Sequence, residues 1–175
     1  MLKIEKAEKK DMPKVAKLIN SSYDMYEEFV DPKDLDQHHI DKAWIDKNFE
    51  KRNFFIARTD EESVGTITTQ YFGKVAYLGY IYLDVEHMGK GYGKKLIDHA
   101  RKICADKGIE SMVLIAHPEA KWATRAYEKY GFERLYTEKE DILKFHGGFM
   151  KPYYEEGFHL YRYSIDAELS EQVAG

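Results

Sequence analysis

Residues 88–94, Met-Gly-Lys-Gly-Tyr-Gly-Lys, place three glycines at alternate positions. Residues without a Cβ let backbone N–H groups come close to an anion, and a helix that begins there adds a partial positive charge. Gly89, Gly91 and Gly93 therefore suit a phosphate, with Lys90, Lys94 and Lys95 contributing charge. The spacing is neither that of a Walker loop, which ends in Gly-Lys-Ser/Thr, nor the Gly-x-Gly-x-x-Gly of a dinucleotide fingerprint. An ordinary glycine-rich turn competes with the anion site, and a solvated helix face competes as the role of Lys94 and Lys95.

The neighbours of this turn define where it sits. Before it, Tyr77, Leu78, Tyr80, Ile81, Tyr82, Leu83 and Val85 crowd aromatic and aliphatic residues together without a proline, which reads as a strand. After it, Leu96, Ile97, Ala100, Ile103 and Cys104 recur at helical spacing. A second strand and helix follow at residues 111–117, SMVLIAH, and 121–132, KWATRAYEKYGF. Trp122, Ala123, Ala126, Tyr127 and Tyr130 form an apolar stripe there, so on residue types alone Tyr127 is a packing residue. Gly108 and Gly131 each follow a helical run, where a left-handed residue ends the helix.

Residues 76–132 resemble the GNAT superfamily of N-acetyltransferases, which use acetyl-CoA. The family's turn, [QR]-x-x-G-x-[GA], falls on Met88, Gly89, Lys90, Gly91, Tyr92 and Gly93, and its later Ala-x-x-x-Tyr-x-x-x-Gly-Phe on Ala123, Tyr127, Gly131 and Phe132. Met88 replaces the Gln or Arg, which removes a side-chain donor and leaves the backbone donors. Ala120 stands where many members have Asn, removing a usual cofactor contact. The resemblance implies an α+β fold in one domain over residues 1–175: a central mixed, mostly antiparallel sheet flanked by about four helices. It implies acetyl-CoA as co-substrate, with the turn from Met88 to Lys94 holding its diphosphate. The end of the preceding strand, Leu83, Asp84 and Val85, would hold the pantetheine arm through backbone groups.

Moving an acetyl group from a thioester to an amine needs a neutral amine, a donor for the developing oxyanion and a proton for the departing thiolate. The resemblance puts the backbone amide of Leu83 at the thioester carbonyl. It puts the Tyr127 hydroxyl at the thiolate; a phenol with pKa near 10 still carries its proton at neutral pH. An amine of pKa near 10.4 is only about 0.1% neutral at pH 7.4, so a base matters. Some members carry a Glu early in the core strand, and Tyr77 occupies that position here. Asp84, Glu86, Glu27 and Glu28 remain as candidates, possible solvated faces all four. The family's acceptor side corresponds to Tyr23, Asp24, Tyr26, Glu27, Glu28, Tyr153, Tyr154, Glu155 and Glu156, a mixture of carboxylates and aromatics that suits a cationic amine. A coenzyme-binding or sensor domain of the same fold, without turnover, is the alternative.

The rest of the chain gives the frame. Residues 2–6 read as a first strand, and Asp11 followed by Pro13 as a helix start. A second amphipathic helix is expected over 35–49, with Ile40, Trp44, Ile45 and Phe49 on one face. NFFIART and SVGTITTQYF, divided by a turn at Asp60, Glu61 and Glu62, then join the core strand through Gly73 and Lys74 as an antiparallel meander. The later strand–helix–strand order adds parallel pairing. Residues 141–157 read as a loop or broken helix inserted before a last strand at 158–165, and 167–175 as a frayed tail.

Composition narrows the class. A net charge of -4 over 175 residues argues against non-specific nucleic-acid binding. The single Cys104 excludes an internal disulfide and reads as a small buried hydrophobe. No apolar leader or membrane-length run is present, so a cytoplasmic protein without membrane attachment is expected. His38 and His39 lack metal-ligand spacing and no HExxH or paired-cysteine motif occurs, so no metal is expected. The expected partner is a small-molecule or protein amine, and the expected assembly a monomer or homodimer.

Overall fold

The computed structural model describes residues 1–60 and 62–165. Glu61 of the first polar turn, and the tail at 167–175, lie outside the described residues. Seven strands form one sheet: β1 (Lys3–Lys6), β2 (Asn53–Arg58), β3 (Ser63–Phe72), β4 (Val75–Leu83), β5 (Ser111–Ala116), β6 (Glu133–Tyr136) and β7 (His159–Ser164). Their order is β1-β2-β3-β4-β5-β7-β6. The β4–β5 pair is parallel, whereas β1–β2, β2–β3, β5–β7 and β6–β7 are antiparallel. The sheet is thus mixed and mostly antiparallel, as the pattern predicts. The last strand inserts between β5 and β6, pairing Leu114 with Tyr161 on one side and Glu133 with Arg162 on the other.

Among the described residues six α-helices accompany the sheet: α1 (Met12–Asn20), α2 (Tyr23–Glu27), α3 (Lys42–Asn48), α4 (Tyr92–Asp106), α5 (Lys121–Tyr130) and α6 (Lys139–Lys144). The two shortest, α2 and α6, lie in segments whose period is too short to announce a helix.

The chain divides into two compact units, residues 1–70 with 78–100, and residues 71–77 with 101 onward. In the first, α1 buries Met12, Val15, Ala16 and Ile19, one face of a 3.6-residue period, in a cluster with Phe54 and Ile56 of β2, Ile40 and Tyr82. Each of these side chains larger than alanine contributes roughly 1.5 to 3 kcal/mol on burial. In the second, Val75, Tyr77, Val113, Ile142, Met150 and Leu160 form the core. Phe145, Phe149, Tyr153 and Tyr154 of the late insertion pack against it; they are its cover and not an exposed aromatic patch.

One sequence expectation fails locally. The helix expected over 35–49 is broken into a 3-10 turn at Leu35–His38 and α3. Asp41 is extended, and its carboxylate accepts the Trp44 N–H at 2.8 Å, so a cap intrudes where the apolar period runs on. Asn20 holds the gap by bonding both the N–H and the C=O of Ile40, at 2.7 and 2.9 Å. Asp11 precedes α1 and Pro13 sits in its first turn, yet the Asp11 side chain does not cap that helix. It accepts the Glu8 N–H at 2.8 Å and Arg58 at 2.7 Å instead.

Candidate functional site

The glycine turn lies wholly in the first unit. Asp84 opens it: its N–H reaches the Val64 carbonyl at 2.9 Å and its carboxylate accepts the Glu86 N–H at 3.1 Å, starting a 3-10 turn at Val85–His87. That carboxylate, a candidate base by sequence, is committed to the turn. Val85 is 51% exposed, and Met88 is extended and half-buried. Gly89 and Gly91 then adopt φ of +82° and +80°, the left-handed region, and a Cβ at either would meet nothing within 4 Å. Conformation and not space selects glycine at both.

α4 begins at Tyr92, with the Lys95 N–H reaching the Gly91 carbonyl at 3.3 Å. Among the described residues the N–H groups of Gly89 and Gly91 have no acceptor within hydrogen-bond range. Left-handed residues leading into a helix start make a concave group of donors that fits an anion. Gly89, Lys90 and Gly91 are exposed, so the donors face solvent. Lys94 pairs with Asp98 at 2.8 Å one helical turn on, which makes it part of a solvated helix face.

Leu83 is locked beside this turn by Gly65, which belongs to no motif. A Cβ on Gly65 of β3 would meet Leu83 Cδ2 at 2.8 Å, Leu96 Cδ1 at 3.1 Å and the Tyr82 carbonyl oxygen at 3.1 Å. The missing side chain lets β4 and α4 close over β3 and seats Leu83 between them. A glycine inside an otherwise β-branched strand was the available signal. His87 adds a further tie: its Nε2 lies 3.0 Å from Glu62, and its ring stacks 6.2 Å from Tyr92.

Two more features of the first unit carry no sequence signature. Tyr80, inside β4, has φ +44°, an uncommon backbone for an aromatic residue. Buried His38 places Nδ1 2.9 Å from the Tyr82 hydroxyl and stacks on Tyr26 at 4.5 Å. Asp24, Glu27 and Glu28 around Tyr26 are exposed. A cavity of about 470 Å³ lined by Lys14, Lys17, Ser21, Arg58, Glu62, Ser63 and Asp84 opens in this unit.

Tyr127 belongs to the second unit. The apolar stripe expected on α5 faces inward in part: Trp122, Ala123, Tyr127 and Tyr130 are half-buried beside the fully buried Thr124, and Ala126 is exposed. The helix is anchored at its end, where Gly131 turns left-handed at φ +120° and Tyr130 and Phe132 pack on Tyr163 at 5.4 and 5.6 Å. Arg101 fixes the Tyr163 hydroxyl at 3.0 Å. The Tyr127 ring meets the edge of Phe132 at 6.1 Å. Ala120 starts α5 without a side-chain cap and is 1% exposed.

The parallel ladder from β4 to β5 comprises Val75–Ser111, Ala76–Met112 and Tyr77–Val113. Tyr77, which replaces the family's occasional Glu, is 6% exposed in the core. On the acceptor list, Glu156 is held by Lys139 at 2.6 Å, Lys139 covers the Tyr154 ring at 5.5 Å, and Glu155 is 7% exposed. His117 is tied into the turn after β5, its Nδ1 accepting the Glu119 N–H at 3.1 Å, and burial pulls it below the usual histidine range. No group of three or more His, Cys, Asp or Glu among the described residues is arranged to hold a metal ion, and no helix among them is long and apolar enough to cross a membrane.

Comparison with known proteins agrees with this fold. The acetyltransferase structure of the GNAT family from Staphylococcus aureus Mu50 superimposes with a TM-score of 0.73 at 17% identity, over 94% of this chain and 99% of that one. The PaiA N-acetyltransferase of Thermoplasma acidophilum, crystallised with coenzyme A, gives 0.72 at 19% identity over the same shares. At the sequence level the Bacillus subtilis (strain 168) protein YwnH, provisionally named a phosphinothricin acetyltransferase, is 27% identical over 95 residues. That match spans 51% of this chain and 58% of its relative. A family model described as Acetyltransferase (GNAT) family matches residues 16–132, more than half of the chain. The chain belongs to the GNAT family of acetyltransferases.

Proposed function

We propose that the chain moves the acetyl group of acetyl-CoA directly to a primary amine. The observation that carries this reading is the pair of left-handed glycines at the start of α4, with N–H groups that find no acceptor among the described residues. Acetyl-CoA would supply an activated acyl group and, at its other end, a diphosphate that matches those donors. Crystallisation of two similar acetyltransferases with coenzyme A, from Thermoplasma acidophilum and Bacillus subtilis, supports the choice.

On this reading the amides of Gly89 to Lys94 donate to the diphosphate, each charge–dipole contact contributing roughly 0.3 to 1 kcal/mol. Leu83 and Val85 offer backbone groups to the pantetheine arm, the Asp84 N–H and carbonyl being held by Val64 and His87 and the Met88 N–H by Val85, and the Leu83 N–H donates to the carbonyl oxygen that gains charge. Tyr127 gives its hydroxyl proton to the departing sulfur. Exposed Asp24, Glu27 and Glu28, beside Tyr23 and Tyr26, draw a cationic amine, and with Asp84 bonded to the turn the exposed carboxylates of Glu27, Glu28 and Glu86 are those left to take its proton through water.

A panel of polyamines, aminoglycosides, amino acids and lysine peptides, followed by release of free CoA thiol, tests cofactor, turnover and acceptor together. Thermal stabilisation by acetyl-CoA is expected alongside thiol release. Stabilisation by ATP alone would sink the proposal, and coenzyme binding without thiol release across the panel would make the chain a sensor. As a check on the turn, Gly91→Ala forces a side chain into the left-handed region at roughly 1 to 2 kcal/mol. Coenzyme affinity should fall about tenfold with α4 intact by circular dichroism.

A further inference from the structure

A left-handed aromatic residue inside a strand is strained, and such a conformation persists only where the surroundings impose it. Tyr80 is in that state, at φ +44° in the middle of β4. Its ring is held from three directions within the first unit. Trp44 of α3 meets it edge-on at 5.4 Å, Tyr82 lies at 6.1 Å, and the Arg52 guanidinium sits over its face at 4.8 Å. Arg52 also lies over the Trp44 ring, at 5.7 Å, and Trp44 is wedged against Phe54 at 5.8 Å. One planar cation thus ties two aromatic faces together, an arrangement that the guanidinium favours and an ammonium or thioether cannot copy in full.

We propose that Arg52 and Trp44 are positioning residues that hold the Tyr80 kink, and through it aim the backbone of residues 81–83. The inference rests on the acyl-transfer reading, in which the Leu83 amide faces the reacting carbonyl. The physical link is short. If Tyr80 relaxed to the ordinary extended region, the N–H groups that follow would turn relative to the preceding strand, because backbone dihedrals set which way each peptide group faces. Tyr82, next on the same side, is secured separately by its hydrogen bond to His38. The kink itself has the Arg52–Trp44 stack as its fastening, and the loss of either partner should be felt two or three residues along the strand.

The test uses Arg52→Met, Tyr80→Gly and the double variant of the full chain. Two readouts are needed: steady-state kinetics with the amine found by the panel, and amide hydrogen exchange at residues 81–83, which requires no substrate. Arg52→Met should lower kcat about tenfold with KM for acetyl-CoA within about twofold, and speed exchange about tenfold. Glycine adopts the kink without strain, so adding Arg52→Met to Tyr80→Gly should change either readout by less than about twofold. An equal effect of Arg52→Met in both backgrounds, or no effect on exchange in the parent, would overturn the proposal. Turnover in the parent without this coupling in exchange would sink the clamp and spare acyl transfer. Coupling in exchange without thiol release from any amine would sink acyl transfer and leave the clamp supported.

Discussion

Replacing Tyr127 with Phe removes one hydroxyl while keeping the ring against Phe132, so its effect on chemistry separates cleanly from its effect on packing. Turnover should fall about 10²- to 10⁴-fold if the phenol serves as the acid. The melting temperature should move by only about 2 to 4 °C, since the ring and its packing are kept. Steady-state kinetics beside a thermal melt decides it, and full activity in the variant would return Tyr127 to a packing role. Cys104 makes the opposite case at the same scale. It is 0% exposed, and burial pushes its thiol up to about 12. The thiolate is the reactive form. A thiol reagent at pH 8 should therefore leave the folded protein unmodified and label it only in denaturant; rapid labelling of the native state would contradict the burial.

Helical segments on either side of residue 40 are joined less by period than by one side chain. Asn20, at the end of α1, satisfies both backbone groups of Ile40, and Ile40 is 2% exposed. Truncation to Ala leaves an N–H and a C=O without their partner, at a cost of about 1 to 3 kcal/mol. Denaturant unfolding of Asn20→Ala should show a lower midpoint with an unchanged slope, and a shift below about 0.5 kcal/mol would mean that water replaces the amide. The broken helix explains why Trp44 reaches Tyr80 and Phe54 at all. Asp41 restarts the helix at Lys42 and so resets the rotational phase of α3.

For the molecule as a whole, stability should weaken on mild acidification. Burial holds His117 and His159 below the usual histidine range. In the unfolded chain both take up a proton near pH 6.5, whereas the folded protein resists until a lower pH. Between those points the unfolded state binds more protons, so stability falls with falling pH and levels off below the folded values. Melting temperatures should be flat above about pH 7 and decline from about 6.5 downward, and His117→Gln should flatten the decline. Asp11, held low by the Glu8 N–H and by Arg58, acts in a separate window: its contribution is present above about 3.8 and lost as pH falls through its lowered value. An unaltered profile in His117→Gln would remove burial of that ring as the cause. Much of this protein was legible in its residues. Glycines that need a left-handed backbone, strands of β-branched and aromatic residues, and helices with a 3.6-residue period are all local properties, so the β2–β3–β4 meander and the turn at Gly89–Gly93 could be read from them, while the family came from the likeness of two motifs to those of GNAT acetyltransferases. Folding in three dimensions settled the rest. The insertion of β7 beside β5, the joining of His38 to Tyr82 and the seating of Arg52 over Tyr80 each depend on partners brought together by the chain's path. No spacing rule encodes such encounters, because their energy comes from burial and contact between distant segments.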